Sequence, residues 1–169
     1  MKFKNTQVWG FEHAMRGMRN PKNSWHLSDS WTMSFDDPDA DSRGGYWIGP
    51  NDMKLALTLI NGGPEHRKFL RQIFVSVDIT APLYWWKEYD TYKVATVANS
   101  TSTMHKIHSK EFERADFSCD RMSEGALKVL DGVIEYLEEA RLKFIETKDK
   151  SYWHDMIQLL PSSYNQMRT

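Results

Sequence analysis

Of 169 residues, 40% are hydrophobic and 13% aromatic, with 7 tryptophans, which excludes general disorder and gives a single domain enough apolar surface for a real core. Lys and Arg number 22 against 23 Asp and Glu, a formal net charge of -1, so no basic excess argues for a nucleic-acid groove or an anionic membrane surface. The only cysteine, Cys119, excludes a disulfide framework and an all-cysteine zinc site. The opening MKFKNTQVWGFEHAM holds no apolar run of signal-peptide length, and no segment approaches a membrane span, so the chain reads as a soluble cytoplasmic domain.

Lys4 to Phe11 predicts a first strand, with Val8, Trp9 and Phe11 apolar, running into a short helix from Glu12 to Met18. Asn20-Pro21-Lys22-Asn23-Ser24 breaks that helix. From Trp25 to Phe35 the apolar residues fall two or four apart, the spacing of an extended segment or packed loop. The acidic run Asp36 to Gly45 has an Asp-x-Asp-x-Asp start, but Ser42 stands where a calcium loop needs glycine and Ile48 where it needs glutamate. It reads as an acidic loop.

Gly49-Pro50-Asn51-Asp52 predicts entry to a helix with Met53, Ala56, Leu57 and Ile60 on its inner face, stopped by Asn61-Gly62-Gly63-Pro64. Glu65 to Gln72 reads as a short charged helix. The stretch Val75–Lys106 follows, and the rest of the chain is organised around it. Val75, Val77 and Ile79 alternate with Ser76 and Asp78 as a half-buried strand, which Thr80-Ala81-Pro82 ends. Leu83 to Lys93 reads as an aromatic-rich helix, and Asn99-Ser100-Thr101-Ser102-Thr103 as a polar loop. A solvated loop, a turn cap and a ligand wall are all compatible with five such residues in a row. Ser109 to Cys119 is polar and ambiguous. Ser123 caps a long helix to about Thr147 whose Leu127, Leu130, Ile134, Leu137 and Phe144 keep three- and four-residue spacing. A last helix runs from near Ser151 to Leu160-Pro161. Helices dominate and the strands are not spaced as βαβ units, so the class is α+β: a small, mostly antiparallel sheet packed with long helices, in one domain over 1–169.

Chemistry-bearing motifs are few. There is no G-x-S-x-G elbow, no Walker loop and no G-x-G-x-x-G. Cys119, between Ser118 and Asp120, has nothing in sequence to lower its pKa and reads as inert. His105 and His108 could share a helical face but lack further zinc ligands nearby, so they read as surface or structural, as do His13, His26 and His154. Trp85-Trp86 reads as core or interface packing.

The central stretch resembles the flavin-dependent thymidylate synthases. That family carries R-H-R-x-x-S-x-N-E-x-S-x-R-Y after a strand and an A-P-hydrophobic helix start, which Ile79-Thr80-Ala81-Pro82-Leu83-Tyr84 matches. With one inserted residue the motif falls on Thr91-Tyr92-Lys93, Thr96 and Asn99 to His105. Asn99 and Ser102 match outright, Thr96 replaces serine, and Lys93 keeps a positive charge in place of the second arginine. Thr91 and Tyr92 replace the first Arg-His, Ser100 the glutamate and Met104 the last arginine. Leu159 to Tyr164 resembles the family's A-R-x-x-L-P-x-x-x-Y segment, with Ile157 at its arginine. The sequence reaches Thr169 before the family's Asn-Ala-Arg segment, as if C-terminally shortened.

The likeness is greatest to a divergent, phage-type branch, which would work in the host cytoplasm. It implies methylation of dUMP to dTMP with FAD and a methylene-folate, in a homo-oligomer whose sites form between subunits, without a cysteine nucleophile. It implies FAD contacts from Asn99, Lys93 and Thr96, and substrate contacts from Ser102 and Ser100, with Ser102 toward the phosphate. The missing arginines leave two readings: an enzyme that binds its ligands differently, or a catalytically lapsed module of the same fold that binds a nucleotide or a protein partner.

Overall fold

Residues 1–33 and 45–169 are described by the computed structural model; the Asp-x-Asp-x-Asp spacing considered as a calcium loop lies outside the described residues. They form two compact units, one of residues 1–5 with 77–169 and one of 6–76.

In the three-stranded sheet, β4 (Phe74–Pro82) lies between β1 (Lys2–Trp9) and β5 (Asn165–Arg168), with residues 2–5, 77–82 and 165–168 of it in the first unit. β4 and β5 are antiparallel, pairing Ile79 with Arg168 and Pro82 with Asn165. The period-two pattern of β4 does not become one-sided burial: Val75 is 61% exposed, and only Ala81 and Pro82 at its end are buried. A strand paired on both edges is held by its ladders even where its faces stay open. Pro82 closes β4 and occupies the N-cap of α3 (Leu83–Tyr92), as its fixed φ and missing N–H favour.

The core of this unit is built on α4 (Glu124–Thr147) and α5 (Lys150–Gln158). Ser123 accepts a hydrogen bond from Ala126 N–H and starts α4 where the sequence places it. Leu130 and Leu137 are buried as expected, together with Ala140. Lys148, left-handed at φ 60, stops the helix, and Asp149 caps α5 through Ser151 N–H. Ile107, Phe112 and Phe117 fill the same core, so the segment around Ser109 to Cys119 is two short 3₁₀ turns anchored by buried aromatics.

The unit of residues 6–76 packs α1 (Phe11–Arg19) and α2 (Pro50–Asn61) with a 3₁₀ helix over Arg67–Gln72, around Ala14, Met15, Met18, Ala56 and Phe69. β2 (Trp31–Met33) pairs antiparallel with β3 (Gly45–Trp47). Gly10 has φ +90, and a Cβ there would lie 2.1 Å from Gln72 O, so no other residue fits. The inner face of α2 agrees with the sequence expectation at Ala56 and Ile60 and differs at Met53 and Leu57. Met53 and Leu57 are 43% and 51% exposed, while Asp52 and Ala56 are buried and Leu55, Leu59 and Ile60 pack against them. Asp52 sets that rotation. It is fully buried as the partner of Arg19 and receives Ser28 Oγ at 2.6 Å and Ser30 N–H at 3.2 Å.

Candidate functional site

All the site residues expected from the sequence belong to the unit of residues 1–5 and 77–169. The site is built on α3 and β5. Trp86 is buried, and its Nε1–H donates to Gln166 O at 2.9 Å, fixing α3 against β5. Trp85 stacks on Tyr89, ring centroids 5.1 Å apart, so the tryptophan pair packs internally.

Arg168 lies over the Trp86 ring, its guanidinium 4.4 Å from the ring centroid and its side chain 18% exposed. Arg168 Nη1 donates to both Asp90 oxygens at 3.0 and 3.1 Å, and Nε donates to Gln166 Oε1 at 3.0 Å. Lys93 Nζ also reaches Asp90, at 3.1 Å. Hydrogen bonds from Arg168 and then Lys93 hold the Asp90 carboxyl below the usual carboxylate range. One carboxylate against two cations leaves this trio with a positive charge to spare.

The polar loop lies along the end of β5. Asn99 and Thr169 exchange both backbone hydrogen bonds at 3.0 Å, and Thr101 N–H donates to Met167 O at 2.9 Å. Ser100 therefore faces Arg168 as the pair between two hydrogen-bonded positions. In an antiparallel ladder that pair brings its side chains closest and onto one face. Lys93, Asp90, Arg168 and Ser100 thus form one polar cluster, and the Ser100 side chain makes no hydrogen bond among the described residues.

The other expected residues are placed differently. Asn99 precedes Ser100 and projects to the opposite face, its side chain uncommitted among the described residues. Thr96 Oγ1 donates to Val94 O at 3.1 Å in an exposed turn. Ser102 Oγ accepts from Met104, His105 and Lys106 N–H at 3.3, 2.8 and 3.3 Å, so it caps the turn that follows. Its own O–H remains able to donate outward. Arg168 and Asp90 were not singled out from the sequence. The available signal was a basic residue just after the Leu-Pro-x-x-Tyr segment, without any mark of its partner.

His108 packs edge-on against Phe144, centroids 4.9 Å apart, and no group of three metal-ligating side chains occurs among the described residues. Cys119 is half-buried beside the core. No helix among the described residues is long and apolar enough to cross a membrane.

No model of a known protein family matches the chain, and no curated protein matches it in sequence. Two solved structures share its fold, both of the flavin-dependent thymidylate synthase ThyX from Helicobacter pylori complexed with FAD and dUMP. They superpose with TM-scores of 0.63 and 0.65 at 16% identity, covering 99% of this chain and 76% of theirs. The chain is an α+β protein with the fold of those enzymes.

Proposed function

We propose that this protein binds dUMP and FAD as a flavin-dependent thymidylate-synthase-like protein, with the Lys93–Asp90–Arg168 cluster and Ser100 receiving the nucleotide phosphate. The observation that carries this reading is Arg168 held across from Ser100, its Nη2 donors unengaged among the described residues beside an uncommitted hydroxyl. A phosphate monoester asks for such a combination. The shared fold with an enzyme complexed with FAD and dUMP supports the ligand class, and the matches at Asn99 and Ser102 support the position.

Asn99, on the face opposite Ser100, would contact the flavin with Thr96, while Lys93 serves the phosphate cluster and Ser102 keeps the turn closed, donating its O–H toward the substrate. FAD, when bound, would supply the carrier for a folate-derived methylene to C5 of dUMP and the hydride that reduces that methylene to the methyl group of dTMP as the C5 proton leaves. The chain's own residues orient the nucleotide and neutralise its phosphate. The chemistry needs no thiolate, and Cys119 stands outside the cluster. Arg168 partly replaces the arginines that Thr91 and Met104 displace.

The lapsed-module reading keeps one observation in its favour. Thr91 and Met104 are both exposed and neither supplies a cation. Calorimetric titration of dUMP and FAD into wild type, Asn99→Ala, Ser100→Ala and Arg168→Gln tests the binding claim, with thermal melts to confirm folding. Loss of a charge-assisted hydrogen bond, about 1.5–3 kcal/mol, should weaken dUMP binding roughly 10- to 100-fold in Arg168→Gln, with a smaller loss in Ser100→Ala. Equal dUMP affinity in all four proteins would remove the site, and no dUMP binding by wild type would remove the function. Binding of both ligands without dTMP formation from methylene-folate would favour the lapsed module.

A further inference from the structure

Arg19 closes α1 and lines a cavity of about 460 Å³ within the unit of residues 6–76. Its side chain is 4% exposed. Nε donates to Asp52 and Nη1 to Ser24 O at 3.2 Å, whereas Nη2 makes no hydrogen bond among the described residues. The buried side-chain atoms left without a partner there are Ser24 Oγ, His108 Nδ1 and Ser163 Oγ, so Arg19 Nη2 is not sealed in. It keeps its surface on the cavity that Arg19 lines. Asp52, fully buried, holds the guanidinium and is itself held by the Ser28 and Ser30 hydroxyls. The unengaged donor is thus fixed before any ligand arrives, which removes the cost of ordering a long side chain.

The other walls are aromatic and polar. Tyr46 and Thr32 pair across the β2–β3 ladder and so share one face. The Tyr46 ring stacks on Phe11, centroids 6.3 Å apart and planes at 6°. Trp31 adjoins Thr32 but lays its ring against Trp47, its partner on the opposite face. Trp25 is fixed by its Nε1–H, which donates to Asn20 Oδ1 at 2.7 Å. Glu12 and Arg16 stand one turn apart on α1, both exposed, and neither enters an ion pair or side-chain hydrogen bond among the described residues.

Charge decides what such a space takes. Asp52 matches Arg19 and Glu12 matches Arg16, so the lining carries no cation in excess. An anion would join two carboxylates with nothing left to neutralise it. An uncharged acceptor oxygen suits Arg19 Nη2, and an N–H suits the Glu12 carboxylate. We infer that this cavity binds an uncharged planar heterocycle with a lactam edge, its carbonyl on Arg19 Nη2, its ring N–H on Glu12 and its flat face against Tyr46. The volume is that of a small-molecule site. It shares no residue with the Lys93–Asp90–Arg168 cluster and does not depend on that cluster's binding dUMP.

The probe is 4-quinazolinone, which is bicyclic and uncharged and carries the lactam edge without sugar or phosphate. Its titration into the whole chain is followed by the Trp25 indole N–H and Thr32 amide resonances, and both should shift saturably. Quinazoline, which lacks the carbonyl, and N3-methyl-4-quinazolinone, which lacks the N–H, should each bind about tenfold more weakly, the loss of one charge-assisted hydrogen bond. Naphthoate, flat but anionic, should bind more weakly than the probe. Glu12→Ala alters an exposed side chain and keeps the fold; it should weaken the probe about tenfold and leave the N-methyl compound unaffected. A merely structural role for Glu12 would weaken both alike. Tyr46→Leu should weaken every flat compound. Tighter binding of naphthoate than of the probe, equal affinity for the three quinazolines, equal losses of probe and N-methyl compound in Glu12→Ala, or no shift at Trp25 and Thr32 up to the probe's solubility would overturn the assignment.

Discussion

Arg168 stacks on Trp86, grips both oxygens of Asp90 and reaches Gln166, which leaves its guanidinium little freedom and makes it a fixed landmark for Ser100. Asp52 is a stronger case of the same economy. Burial pushes its carboxyl up, but hydrogen bonds from Ser28, Ser30 and Arg19 outweigh burial and hold it below the ordinary range. A carboxyl depressed in the folded state stabilises fully above its unfolded value of about 3.9, and that contribution fades as pH falls through the lower folded value. Asp52→Asn strands the buried Arg19 charge and should cost about 3–5 kcal/mol in urea unfolding at neutral pH. The variant should also lose less stability than wild type between neutral and strongly acid pH. A cost below about 1 kcal/mol, the range of a surface pair, would mean that Asp52 does not hold this unit together.

At the scale of elements, two hydroxyls act on helix and turn starts. Ser123 caps α4, and Ser102 gathers three N–H groups of the turn ahead of the 3₁₀ helix over Ile107–Ser109. Ser123→Ala and Ser102→Ala should each cost about 0.5–2 kcal/mol. Their hydrogen-exchange signatures should differ: Ser102→Ala speeds exchange at Met104, His105 and Lys106, whereas Ser123→Ala speeds it at Ala126. If Ser102→Ala weakened dUMP binding while those amides stayed protected, its main role would be ligand contact and not closing the turn.

At the scale of the whole molecule, the protein is expected to associate into a homo-oligomer. The α4 helix leaves Val129 69% and Leu142 53% exposed, and α3 leaves Tyr84 and Tyr92 out as well, although Trp86 is buried within the chain. Light scattering at micromolar concentration should give a mass above that of one chain, and Val129→Glu with Leu142→Glu should lower it. A single-chain mass for wild type would end this expectation.

What the sequence determined by itself was whatever its neighbours along the chain decide. The cap at Ser123, the spacing of Leu130 and Leu137 and the strand-to-helix change at Pro82 are visible there, because each rests on contacts within a few residues. The polar loop was visible as composition, and the resemblance set Asn99 and Ser102 toward the helix over Pro82–Lys93, but its place along the end of β5 was not legible. Tertiary structure alone decided the charge that the cluster presents. Arg168 and Asp90 stand 78 positions apart, and Arg19 and Asp52 stand 33 apart. Nothing local marks either member, since an ion pair lowers the free energy only when folding brings both charges to one place. The strand β5 escaped notice for a related reason. Its four residues hold their place through backbone bonds to β4 and to Asn99–Thr101, and such partners leave no periodic trace in the side chains.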